Sequence, residues 1–352
     1  LVLGVPNIRK GQTASYRARI RFDEHETRAL PATLLVDEAR WYRGDLHMHS
    51  GHSDGSCDSR SGASRVSCPL FLNLDAAADR GLDFIAVTEH NTISHLQELT
   101  ALQPYFDRLL LIPGIEITTF QGHANVFNAT RPIDFRVGSD AVSNWNALLG
   151  SLPQSALASI NHPNLPSGES CMGCGWLPKE PVDYERLAAV EVVNGYDVET
   201  PKSGIPFWHA HLQRGRRLTA VGGSDTHNVT AKGTVNSAPA RIGVPTTVVF
   251  ARELSTPAIL EGIRAGKVFI DTQGTSHRML NLTATIADRS VSMGDAIEAP
   301  PGTRIQWKIA VSGVRGGAVD VIQDGASLHQ KLSNEITTDD YEFSFEQRSD
   351  GK

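Results

Sequence analysis

From about residue 41 to residue 275 the chain is built of short, continuous apolar runs separated by helical or loop segments, the pattern of strands buried on both faces of a largely parallel sheet. Runs of this kind alternating with helices predict β/α units and an α/β fold. Two helices announce their ends. Residues 73 to 81 close on Gly81, and residues 256 to 266 carry Thr256 as a cap, Pro257 in the first turn and a closing Gly266. On either side of this segment the texture changes. Residues 16 to 22 and 32 to 36 alternate loosely, as half-buried strands do, and predict a small N-terminal β appendage over 1–40. Alternation returns at 280–286, 305–311 and 318–322, with turn signals at Pro300-Pro-Gly302 and Asp324-Gly325, and predicts a β-sandwich-like C-terminal piece over 278–352. The expected plan is therefore an appendage, a central unit over 41–277 and a β-rich end. The chain starts at Leu1 and stops just after a strand-like run, so it is expected to continue beyond these ends.

The chemistry lies in how the apolar runs finish. His47 and His49 stand two apart after the first run, on one face of a strand. The run from Leu82 ends in Glu89 and His90, the run from Leu109 in Glu116, and the run from Ala156 in His162; the run from Leu218 ends in Asp225 and His227, again two apart. A lone His-x-His or Asp-x-His more often reflects chance or a hydrogen-bonded core histidine, and His162 or Glu116 alone reads as a turn or loop residue. The repetition carries the weight, because ionisable groups at the ends of buried strands cost several kcal/mol each unless paired or metal-bound. In a β/α barrel the C-terminal strand ends meet at one mouth. Imidazoles with carboxylates suit zinc, iron(II) or manganese(II), and this many ligands exceed one tetrahedral ion, so two or three divalent ions are expected.

In order, His47-Met-His49, Ser53-Asp-Gly55, Thr88-Glu-His90, Gly114-Ile-Glu116, a downstream His123, His162-Pro163 and Asp225-Thr-His227 resemble the motifs of the PHP (polymerase and histidinol phosphatase) superfamily. The lead-in Trp41 to His47, the Glu89-His90-Asn91 triplet and residues 259 to 269 are similar to its CehA/McbA branch, named for carbaryl hydrolases. The resemblance covers residues 41 to 275. It implies a distorted (β/α)7 barrel with up to three metals: one held by His47, His49, Glu116 and Asp225, a second sharing Glu116 with His123 and His162, and a third using Asp54, His90 and His227. Asp54 is His in some trinuclear members, and Glu89, often Asp in the superfamily, is expected behind the ligands. The catalytic set implied is His47, His49, Asp54, His90, Glu116, Asp225 and His227, acting through a metal-bridged hydroxide. Coordination lowers the pKa of water from 15.7 toward about 7. No Gly-x-Ser-x-Gly elbow is present, and Ser224 reads as a strand-end residue. Cleavage of an ester-type bond follows, in an aryl carboxyl or carbamate ester or a phosphoester of a small molecule. A nuclease-like phosphodiesterase and a non-catalytic metal-binding module are the alternatives.

Length and composition narrow this picture. At 352 residues, 40% hydrophobic and 20% charged, the chain has room for one large barrel with a smaller appendage or two. A net charge of −6 and a pI near 6.1 disfavour a nucleic-acid partner, and no apolar run reaches the roughly 20 residues of a membrane span. Cys57, Cys68, Cys171 and Cys174 lie in polar Gly/Ser/Pro-rich stretches. Two local disulfides, Cys57 to Cys68 and Cys171 to Cys174, would place the protein in the periplasm or outside the cell, while a four-thiolate zinc site would suit the cytoplasm. Disulfides are favoured because the ten-residue spacing of the first pair is not that of a zinc knuckle. His52 reads as a substrate contact or a solvated side chain, and His95, His209 and His211 fall in helical or loop stretches. Arg60, Arg65 and Lys232 are candidates for an anionic substrate, though solvated charge is the simpler reading. Trp176, Tyr196, Phe207 and Trp208 are candidates for an aromatic pocket wall, though packing is the commoner use of such residues.

Overall fold

The structure, a computed structural model, describes residues 11–13, 15, 33–169, 171–231, 240–328 and 334–350. Most of the expected N-terminal appendage and Lys232 lie outside the described residues. Of the appendage, Leu34–Val36 is a strand that pairs antiparallel with Leu254–Ser255.

The central unit is a nine-stranded sheet: β1 Arg40–Asp45, β2 Phe84–His90, β3 Leu110–Thr119, β4 Gly122–Phe127, β5 Leu157–Ile160, β6 Ala189–Asn194, β7 Thr219–Gly223, β8 Thr246–Ala251 and β9 Val268–Asp271. Its order is β7-β6-β5-β4-β3-β2-β1-β8-β9. β4 and β8 are antiparallel to their neighbours, and the other seven run one way. β7 and β9, the two edges, lie beside each other, and the chain leaving β1 bonds to the chain leaving β7: Asp225 N donates to His47 O at 2.8 Å and His49 N to Thr226 O at 3.0 Å. The sheet is thus nearly closed, a barrel-like α/β unit.

Among the described residues five α-helices accompany it: α1 Leu70–Asp79, α2 Leu96–Leu102, α3 Trp145–Ser151, α4 Ile205–Leu212 and α5 Thr256–Arg264. The continuous apolar runs are explained by where alternate residues go. Along β2, Phe84 and Ala86 join a cluster with Tyr42, Leu110 and Ile112, while Ile85 and Val87 join another with Leu74 and Ala77 of α1 and Leu99 of α2. Both faces are buried, and each large side chain so placed is worth about 1.5–3 kcal/mol. Gly81, at φ +67°, ends α1 as expected, with Leu82 N returning to Ala77 O at 3.1 Å. At α5 the expectation shifts by one residue. The cap is Ser255, whose Oγ accepts from Ala258 N at 3.3 Å, and Thr256 is already helical.

Beyond the barrel, the described residues include one four-stranded antiparallel sheet. Its strands are β10 Met279–Ile286, β11 Arg289–Ser292, β12 Arg304–Ser312 and β13 Asp340–Arg348, in the order β11-β10-β12-β13, with two short two-stranded ladders beside them in sequence. Residues of β13 alternate strictly between half-buried and exposed, so this sheet covers one face only.

Candidate metal centre

The seven co-directional strands end at one rim, and the ligand-type residues leave from it. His47 and His49 follow β1, His90 ends β2, Glu116 lies within β3, His162 follows β5, and Asp225 and His227 follow β7. His123 is the second residue of β4. Because that strand runs backwards, its start lies at the same rim. Asp54 comes from the loop after His49. At two of these positions the backbone is held in the left-handed region without glycine, His162 at φ +25° and Asp225 at φ +51°. Such strain persists only where the surroundings over-determine it, and here it turns side chains into the mouth.

Glu116, 1% exposed, is the hub. Its Oε1 lies 3.5 Å from His47 Nε2, 3.2 Å from His123 Nδ1 and 3.3 Å from His162 Nε2, and its Oε2 lies 3.5 Å from His49 Nε2 and 2.7 Å from His90 Nδ1. Asp225 Oδ1 is 3.3 Å from His47 Nε2, 3.2 Å from His49 Nε2 and 3.5 Å from His227 Nδ1, and it accepts no hydrogen bond although it is shut off from solvent. Further out, Asp54 Oδ1 stands 3.5 Å from His90 Nε2 and 3.3 Å from His227 Nε2. All nine residues read as ligands from the sequence therefore belong to one connected group. Three overlapping sets within it are close enough to hold an ion: His47 with His49 and Glu116; His47 with His162 and Asp225; and His49 with Asp54, His90 and His227. A fourth set, His123 with His162 and Cys174, lies at its edge, but the Cys174 sulfur is bonded to Cys171.

The donors fit divalent metal. Ligand atoms on a tetrahedral ion about 2.0–2.1 Å away stand roughly 3.3 Å from one another. His47 Nε2 and His49 Nε2 are 3.2 Å apart and face the same Asp225 oxygen, an arrangement hydrogen bonding alone does not complete. Electrostatics agrees. Burial works against charge on Glu116, yet His90, His47 and His123 hold its carboxyl well below the ordinary range, and Asp225 is held down likewise, chiefly by His47. Burial also opposes charge on His47, but Asp225, Glu191 and Glu116 outweigh it and raise the imidazole. In contrast, burial and then the neighbouring His90 and His227 push His49 down to about 3, leaving a neutral ring with a free lone pair. In the outer group burial is overcome in both partners, with His227 raised to about 9 by Asp54 and Asp54 lowered to about 2 by His227.

A second layer orients the first. Glu89, fully buried, accepts from Ser50 Oγ and Ser53 Oγ at 2.5 Å each and from Ser50 N at 3.0 Å, fixing the loop that carries Asp54. Three groups went unread in the sequence. Glu191 of β6 receives His47 Nδ1 at 3.0 Å and His162 N at 3.0 Å, Asn161 donates to Glu116 Oε1 at 2.9 Å, and Asp45 accepts from the backbone of His47, Ser224 and Gly243. A signal for Glu191 existed: it is a single carboxylate inside the apolar run 188–193.

Other candidates are placed elsewhere. His52 is tied to α2, with Nε2 2.9 Å from Glu98 and Nδ1 2.9 Å from Ser94 Oγ. His95 begins α2, and His209 and His211 belong to α4. Arg65 bonds back to Ser56 O at 3.0 Å across its hairpin, and Arg60 is exposed. Trp176 packs 4.6 Å from Trp145, and Phe207 and Trp208 join the same apolar cluster, so these three serve packing rather than a pocket wall. Among the cysteines, Cys171 and Cys174 are joined. Cys57 and Cys68 differ from expectation, being free buried thiols beside each other, with burial and then Cys57 pushing Cys68 up to about 12. No four-sulfur metal group occurs among the described residues.

No protein-family model and no curated protein matches the chain. Solved structures similar to it include a two-domain protein with a predicted PHP-like metal-dependent phosphoesterase from Bacteroides vulgatus (19% identity, 92% of this chain and 90% of that one, TM-score 0.48). Two others are PsfC from Pseudomonas syringae (16%, 60% and 83%, 0.36) and a protein put forward as a metal-dependent phosphoesterase from Bifidobacterium adolescentis (13%, 56% and 92%, 0.32).

Proposed function

We propose that this protein is a metal-dependent hydrolase of the PHP superfamily, built on a distorted (β/α)7 barrel and working with two or three zinc, manganese or iron ions on an ester-type bond. The observation that carries this reading is Glu116: one buried carboxylate within 3.5 Å of five imidazoles has no structural need that a salt bridge would not meet with one. His47, His49, Glu116 and Asp225 would hold one ion, Glu116, His123 and His162 a second, and Asp54, His90 and His227 a third. Bound metal supplies an activated water near neutral pH and polarises the oxygen of the bond under attack. The chain's own part is to orient. Glu191 accepts the Nδ1 proton of His47 and so turns its Nε2 lone pair into the mouth, while Glu89, through Ser50 and Ser53, fixes the segment bearing His49 and Asp54.

Within the ester class, an aryl carboxyl or carbamate ester is the favoured substrate. Support comes from the CehA/McbA-like motifs; an open groove of about 300 Å³, lined by Phe120, Met172, Glu169, Ser167, Gly168 and Gly173, includes part of the turn that meets His123 and His162. A phosphoester is the alternative, and the acidic balance disfavours a nucleic acid. The Cys171–Cys174 bond supports a periplasmic or secreted location. Among the described residues no helix is long and apolar enough to cross a membrane. The test joins metal counting by mass spectrometry to parallel assays with 1-naphthyl esters and carbamates and with p-nitrophenyl phosphate. At least two metal equivalents with turnover of the naphthyl substrates are expected. One equivalent or fewer, with no activity gained from Zn(II) or Mn(II), overturns the reading.

A further inference from the structure

A tight turn at residues 171–174, between β5 and β6, lies against two mouth histidines. His123 and His162 each turn one ring nitrogen to Glu116, and the other nitrogen of each meets a carbonyl of one tight turn: His123 Nε2 is 3.3 Å from Met172 O, and His162 Nδ1 is 3.3 Å from Cys174 O. That turn is closed by the Cys171–Cys174 disulfide, with Cα atoms 5.7 Å apart, within the usual span of such bonds. Gly173 at its centre has φ +78°, and a Cβ there would stand 2.0 Å from Thr119 O, so the turn lies hard against β3. Cys174 is fully buried, and Trp176 N to Pro163 O at 2.9 Å and Gly168 N to Cys171 O at 3.0 Å tie down its flanks.

An imidazole that donates one N–H to a carbonyl keeps its other nitrogen as a lone pair for a metal. From this geometry we infer that the Cys171–Cys174 bridge is a thiol-operated positioning device for the metal position made by Glu116, His123 and His162. Closed, it presses the Met172 and Cys174 carbonyls onto both imidazoles and holds them in the ligand tautomer. Opened by a small thiol, it lets the turn relax and weakens that one position. In the opening step the S–S bond accepts two electrons and two protons and becomes two cysteine thiols, while two thiol molecules are oxidised to their disulfide. This inference rests on the metal-centre reading.

The test uses the full chain loaded with Mn(II), chosen because a freed thiolate is a poor ligand for it. One sample stays oxidised. The other is reduced with a phosphine, which becomes its oxide with oxygen from water, and is then desalted without air. Both meet a graded series of chelator concentrations, and metal retained per chain is counted. The reduced form is expected to lose one equivalent at roughly 10–100-fold lower chelator, the cost usual for removing an outer partner of a ligand. The remaining metal should leave as before, and reoxidation should restore the original curve. The Cys171→Ser/Cys174→Ser double variant should follow the reduced curve. Superimposed oxidised and reduced curves overturn the inference while leaving the metal centre standing. An oxidised protein that retains no Mn(II) or Zn(II) at all overturns the metal centre and the inference with it.

Discussion

Two sets of buried histidines can be compared in this molecule, those of the barrel mouth and those of the helices packed around it. His47, His49, His123 and His162 are no more than 3% exposed, and so are His95 at the start of α2 and His211 in α4. In the helical layer burial has its simple effect. It pushes His95 down to about 3, helped by His52, and His211 down to about 4, helped by Arg216 and Arg214. At the mouth the same burial is overruled by carboxylates at His47 and His162, which are raised, while His49, next to His90 and His227, is still pushed down to about 3. Burial of an imidazole is therefore not the mark of a site. Its company is: Glu116, Glu191 and Asp225 bring negative charge into a dry space where only protons or metal cations can answer it.

That contrast is broken most directly at the mouth. Glu116→Gln removes the carboxylate shared by five imidazoles, and Asp225→Ala removes the one shared by three. Each is expected to lower turnover by more than the 10–100-fold typical of outer partners and to strip bound metal. The far-ultraviolet dichroism should stay near wild type, since Asp225 N to His47 O is a backbone bond. Wild-type turnover in either variant, measured with metal content, would remove the residue from the centre.

A smaller effect is expected at the rim of the mouth, where the Asp54 side chain is 59% exposed against 1% for Glu116. Asp54→Ala should cost one metal equivalent and leave the inner ions in place, because His90 keeps its contact with Glu116 and His49 keeps Asp225. Metal counting on the purified variant checks this, and loss of every equivalent would show that inner and outer groups are a single unit.

The smallest effect belongs to the helical layer and appears only in acid. A histidine whose folded pKa lies below its unfolded value of about 6.5 stabilises the fold above that pH, and the contribution is lost as pH falls through 6.5 toward the folded value. For His95 and His211 the window runs from about 6.5 down to about 3 and 4. The melting temperature of His95→Leu should therefore fall less steeply than wild type between pH 7 and pH 4.5, with metal content unchanged. Parallel slopes would show that His95 takes up no proton on unfolding, and the contrast with the mouth would lose one of its sides.

How much of this was legible in the chain can be traced residue by residue. The short apolar runs announce strands buried on two faces because alternate residues must both find cover, as Phe84 and Ile85 do in separate clusters. The closing residues of those runs announce the mouth, because ionisable groups at buried strand ends are too costly to be incidental. Gly81 and Gly266 mark helix ends by a local rule, the freedom of glycine in the left-handed region. Other features depend on partners far away in sequence, and only folding brings those together. Glu191 becomes a partner of His47 when β6 and β1 face one interior, 144 residues apart. His123 reaches the rim because β4 runs backwards, a direction set by its hairpin with β3. Cys57 and Cys68 come together yet stay unbonded, while Cys171 and Cys174 close a turn whose carbonyls meet two imidazoles. Spacing along the chain treats the two pairs alike as local clips. Periodicity reports whether a residue is covered, but which groups share a cavity, and with what charge, is decided by strand direction and register, which the chain acquires only when the sheet closes.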